Sequence, residues 1–160
     1  MTDSPQSAAA ARRTSPTLSD LGRHAASLDV TVHIGHLDDG RLGLYDAEAA
    51  RVWINFGLTP SEQRSVLAHE LGHVYFGHHC DSERAEREAE RYAADLLVCP
   101  ETYATLEREG MDAHSIADEM SVTVDVVLAY RAHHLQRLGA TTYGRRISGR
   151  FTNALARRLA

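Results

Sequence analysis

The chain has 160 residues, 43% of them hydrophobic and 24% charged, with a formal net charge of −5. That is ordinary globular usage and enough length for one domain with a real core, so wholesale disorder and a nucleic-acid binder that is basic throughout are excluded. No apolar run approaches the ~20 residues of a membrane span. The two cysteines, Cys80 and Cys99, form no framework and match no paired zinc spacing. Residues 1–13 contain no apolar signal core, so a reducing, cytoplasmic setting is expected. All seventeen basic residues are arginine, and histidine occurs ten times. Histidine is the commonest metal ligand among side chains, so the spacing of these ten decides what they mean.

In chain order, residues 1–17 have no apolar period and read as a flexible leader. Residues 18–28 carry Leu21, Ala25 and Leu28 at helical spacing. The period then shortens to two, with Val30, Val32 and Ile34 alternating with Thr31, His33 and Gly35. Asp39-Gly40 is a hairpin-turn dipeptide and predicts that residues 41–45 return as a second strand. Residues 51–55 (RVWIN) read as a third. Thr59, Pro60 and Glu62 then form a capping box with proline in the first turn, and Gly77 is a natural stop. Leu67, Leu71, Val74 and Tyr75 are expected on one face of this helix. Another helix starts after Asp81 or Ser82, buries Ala85, Ala89, Tyr92, Ala93 and Leu96, and ends by Pro100. Helical pattern continues to about residue 138, with breaks near Gly110 and Ser121. Short strands followed by a run of helices give an α+β class.

The chemistry lies in His69-Glu70-Leu71-Gly72-His73, an HExxH motif on the capped helix. Histidines four apart project from one helical face and can grip one zinc ion. Glu70 sits about 100° further round, too far to be a natural ligand and well placed as general base for a metal-bound water. The wheel sets both histidines opposite the apolar face, so they are expected to face a cleft. A third ligand is needed. His79 lies six residues after His73, as in metzincin-like proteases, but the glycine that spacing requires at 76 is Phe76. On the next helix, Glu86 and Glu88 lie at opposite edges of the apolar face, and periodicity does not separate them. Glu83, Glu86 and Glu90 are read as a solvated acidic face paired with Arg84, Arg87 and Arg91.

HELGHVYFGH (69–78), followed by EAERYAADLLVCP (88–100), resembles the ImmA/IrrE family of zinc metallopeptidases. The resemblance implies a minimal zincin-like domain, a small sheet of about three strands packed on the HExxH helix and several further helices. It aligns the family's third ligand with Glu88, giving a metal set of His69, His73 and Glu88 with Glu70 catalytic. Tyr92 replaces the family's phenylalanine, Glu90 its usual asparagine, and Cys99 delays Pro100 by one residue. Residues 115–138 have the rhythm of the helix-turn-helix that members often carry, although two helices that merely close the domain would look the same. Nothing basic lies between Ser115 and Tyr130, which makes that segment a poor DNA reader. His24, His33, His36, His114, His133 and His134 read as surface residues.

The expected organisation is a leader (1–17), a zincin-like metallopeptidase domain (18–140) and a basic tail (141–160). After Asp125 come seven arginines and no acid, whereas residues 1–125 carry ten arginines against twenty-two acids, a net −12. The tail reads as solvated, with contact to nucleic acid or an acidic partner the alternative. The expected activity is zinc-dependent hydrolysis of peptide bonds in a protein substrate. The resemblance suggests a transcriptional regulator such as a DNA-binding repressor. The strand at 51–55 is expected to form the cleft edge to which an extended substrate adds. Tyr92 and His78 are candidates for steadying the oxyanion, although Tyr92 reads rather as core and His78 as a helix-end residue. The alternative function is a zinc-stabilised regulatory or binding module with little proteolytic activity.

Overall fold

The computed structural model of the chain describes residues 15–38, 40–79 and 82–137. The leader up to residue 14, Cys80 and the basic tail lie outside the described residues. The elements are α1 (Leu18–Ser27), β1 (Thr31–Gly35), β2 (Gly43–Asp46), β3 (Arg51–Asn55), α2 (Pro60–Phe76), α3 (Glu83–Leu97), α4 (Pro100–Arg108), α5 (Ala113–Met120) and α6 (Val124–Arg137). This is a small α+β domain, and none of its described helices is long and apolar enough to cross a membrane.

Local signals account for most helix ends. The Thr17 and Thr59 side chains each accept from the third backbone N–H of their helix, and Asp20 and Glu62 answer in reciprocal capping boxes. Ser82 caps α3 and Asp112 caps α5. Gly77 ends α2 in the left-handed region, at φ +66°, and Ser121 ends α5 there at +52°.

The sheet departs from the expected hairpin order. Its strands run β1-β3-β2, with β1 parallel and β2 antiparallel to β3. The turn at Gly40 (φ +67°) therefore belongs to a crossing from one edge of the sheet to the other. The hairpin joins β2 to β3 instead, through residues 47–50. There the Asp46 carboxylate accepts from Ala49 N–H at 3.1 Å and Ala50 takes φ +50°. The third strand is consequently central rather than an edge, and the edges are β1 and β2.

One face of the sheet, with Val52 and Ile54 fully buried, packs on α2. α2 is not the half-exposed helix that the wheel suggested. Residues 65–73 are all buried, with α1, the sheet and α3 packed around them. Tyr75, assigned to the apolar face, is exposed, as is Ile34 on edge strand β1. α3 packs along α2 through a small-residue face of Ala85, Ala89 and Ala93, and α6 covers α3 with Val126, Val127 and Tyr130 buried. α5 and α6 thus close the domain. Arg131 donates to the Tyr103 hydroxyl at 2.7 Å.

Candidate metal centre

The site forms where α2 and α3 come unusually close. A Cβ built on Gly72 would stand 2.7 Å from Ala89 Cα, a separation that real Cβ atoms essentially never show. Glycine at this point of the HExxH segment lets the α3 backbone lie directly on α2. The preceding turn of α3 then carries Glu86 over the two histidines.

His69 and His73, four apart on one face of α2, bring their Nε2 atoms to 3.1 Å. Glu86 reaches both, with Oε2 at 3.5 Å from His69 Nε2 and Oε1 at 3.4 Å from His73 Nε2. One donor atom from each of the three residues lies within 4.8 Å of the other two, the arrangement of a group able to hold a metal ion. Two imidazole nitrogens and a carboxylate oxygen suit a borderline divalent cation.

The electrostatics favour a cation in the same place. Burial opposes charge on His69, which is 2% exposed, but Glu86, Glu70 and Glu90 outweigh it and hold its pKa above the ordinary value. The hydrogen bond to His69 and the neighbouring histidines hold the Glu86 carboxyl below its ordinary range despite partial burial. Glu90, one turn beyond Glu86, is pushed up chiefly by burial, with Glu86 and Asp125 adding to the effect.

Glu70 is 7% exposed and points toward β2, where its Oε1 would lie 2.7 Å from a Cβ on Gly43. The edge strand has no side chain at this point, which leaves room for the carboxylate beside the histidines.

Three expectations change. The HExxH side chains are buried beneath α3 rather than exposed to a cleft. The structure does not bring Glu88 to the histidine pair: it accepts from Arg84 Nε at 2.9 Å and lies 3.0 Å from His78 Nε2. Its carboxyl is held low by Arg84 first and His78 second. The physical reason is the direction in which α3 crosses α2. Contact through Ala85, Ala89 and Ala93 turns the Glu86 edge toward the histidines and the Glu88 edge toward the end of α2. The third change concerns the two oxyanion candidates. The Tyr92 hydroxyl pairs with His24 Nε2 at 2.6 Å, and His78 lies behind His73. His79 is exposed and is not one of the grouped donors.

Sequence reasoning passed over Glu86, Gly43 and the packing role of Gly72. Ala89, three residues after Glu86, was the available signal, since a small residue there marks the turn that meets Gly72. The family described as IrrE N-terminal-like domain, Peptidase M78, matches residues 25–133, well over half of the chain. No curated protein matches it.

Proposed function

Because this chain belongs to the IrrE N-terminal-like domain family of peptidases, we propose that it is a zinc-dependent endopeptidase in which His69, His73 and Glu86 hold the ion. The observation that carries this reading is the spacing of the donors. A tetrahedral ion bonded at about 2.0–2.1 Å requires donors roughly 3.3–3.4 Å apart. Here the two imidazole nitrogens are 3.1 Å apart, each faces its own oxygen of the Glu86 carboxylate at 3.4 or 3.5 Å, and one donor atom from each residue lies within 4.8 Å of the other two. Catalytic zinc sites use three protein ligands and keep one further position for water or substrate.

Zinc, when bound, supplies a water with a pKa near 7 and polarises a carbonyl oxygen. Glu70 takes the proton of the attacking water and delivers it to the leaving amine. Gly43 leaves it the room to swing between those tasks. The substrate enters as an extended segment along β2, which pairs on one side with β3 and is the sheet edge beside Glu70. Main-chain pairing of that kind favours unfolded or exposed segments over folded ones. The substrate class we propose is a cytoplasmic regulatory protein, such as a DNA-binding repressor, on the strength of the family resemblance.

The test compares wild type with Glu70→Gln and Glu86→Gln. The wild type binds one zinc per chain and cleaves an unfolded polypeptide or a repressor encoded beside it. Glu70→Gln keeps the zinc and loses about 10²–10⁴ in turnover. Glu86→Gln loses both. A wild-type protein that takes up no zinc refutes the proposal. Biological activity surviving in zinc-loaded Glu70→Gln would favour a zinc-stabilised binding module instead.

A further inference from the structure

Behind the three donors runs a chain of polar contacts. Arg84 Nε donates to Glu88 Oε1 at 2.9 Å, Glu88 Oε2 lies 3.0 Å from His78 Nε2, and His78 Nδ1 lies 3.1 Å from His73 Nδ1. The chain exists because α2 ends abruptly. Gly77 adopts φ +66°, and His78 N–H turns back to donate to the His73 carbonyl at 2.9 Å. This folds the His78 ring against His73, where the Phe76 ring stacks on it at 5.5 Å and leaves 13% of its side chain exposed.

We propose that His78, anchored by Glu88, is a positioning residue that selects the tautomer and orientation of His73. The inference rests on the reading of His73 as a metal ligand through Nε2. Its logic is one of donors and acceptors. A carboxylate only accepts, so His78 must carry its proton on Nε2 and donate it to Glu88. In the neutral form of the ring, taken here as the premise, Nδ1 is then a lone pair, and it accepts from His73 only if His73 carries its proton on Nδ1. The lone pair of His73 is thereby left on Nε2, the atom that faces His69 and Glu86. Metal-binding histidines typically donate their second N–H to an orienting partner. Here that partner is an imidazole, and the carboxylate stands one step further back.

The test uses the full chain. Zinc affinity is measured by competition with a chromophoric chelator in wild type, His78→Ala, His78→Asn and Glu88→Ala, each checked for helix content by circular dichroism. In parallel, imidazole ¹⁵N shifts of the metal-free protein report the His73 tautomer, with its resonances assigned by their loss in His73→Gln. The expected result for His78→Ala is one zinc per chain, bound about 10–100-fold more weakly. Its His73 ring changes from the Nδ1–H form to a mixture of tautomers. Asparagine places an amide oxygen near the Nδ1 position, so His78→Asn recovers most of the affinity. Glu88→Ala retains one zinc with an intermediate loss. Wild-type affinity together with an unchanged His73 tautomer in His78→Ala overturns the proposal. Should the wild type bind no zinc while His73 still loses its Nδ1–H form in His78→Ala, the peptidase reading fails and the positioning chain stands.

Discussion

The approach of α2 and α3 at Gly72 yields a sharp prediction, because structure and function respond to Gly72→Ala by different amounts. The added Cβ would meet Ala89 Cα at 2.7 Å and both Ala89 Cβ and the Ala89 carbonyl oxygen at 3.1 Å. Ordinary carbon contacts lie at about 3.5–4.0 Å, so the helices must separate by roughly 1 Å. Two of the three obstacles are backbone atoms, and a rotamer change cannot relieve them. Overpacking of this kind costs about 1–3 kcal/mol. Alanine recovers about 1 kcal/mol of helix propensity relative to glycine. The net loss of folding stability is therefore modest, about 0–2 kcal/mol. Glu86 rides on α3, so the same shift carries its oxygens from 3.4 and 3.5 Å to about 4.5 Å from the histidine nitrogens. Metal sites tolerate about 0.2 Å in their bond lengths, so zinc affinity should fall by more than about 100-fold. Urea denaturation of the metal-free protein gives the first quantity, and chelator competition gives the second. Wild-type zinc affinity in Gly72→Ala would refute the argument that this contact delivers the third donor. A stability loss well above 3 kcal/mol would show that Gly72 serves the fold as a whole.

Other consequences follow from the packing around α2. Arg64 donates from Nε to the Pro16 carbonyl at 3.0 Å and from its terminal nitrogen to the Ser121 carbonyl at 2.6 Å, tying α2 to the start of α1 and to the α5–α6 turn. Arg64→Ala should destabilise the fold by about 1.5–3 kcal/mol, as expected for charged hydrogen bonds, while zinc stoichiometry remains one; thermal unfolding and elemental analysis check the two parts. Asp112 caps α5 by accepting from Ser115 N–H at 2.8 Å, a bond that holds its carboxyl below the ordinary 3.8. Because the folded pKa is the lower one, this stabilisation is complete above the unfolded value and disappears as pH falls through the folded value. The acid limb of a stability-versus-pH profile should accordingly be shallower in Asp112→Asn.

Some parts of this molecule were legible along the chain and others were not, and the division follows the range of the interactions. The capping box at Thr59, the stop at Gly77 and the breaks at Gly110 and Ser121 depend on atoms a few residues apart, whereas Thr17, read as part of the leader, proves to cap α1. The pairing of His69 with His73 has the same local origin, since a helical turn guarantees it. Strand order is different. Val32, Val52 and Tyr45 show the same alternation in any order, so nothing local distinguishes the pairing of β1 with β3 from a pairing of β1 with β2. Asp39-Gly40 has the composition of a hairpin turn, but the hairpin formed at residues 47–50, where the Asp46 carboxylate accepts from Ala49 N–H and Ala50 rather than a glycine takes the positive φ. Burial of α2 was hidden for a related reason. A wheel shows which residues share a face, whereas the number of neighbouring elements decides how many faces are covered.

Glu86 and Glu88 differ by two positions, about 200° around the same helix, and both flank its small-residue stripe. Which of them meets the histidines depends on how α3 crosses α2, and that crossing depends on a glycine seventeen positions away from the alanine it touches.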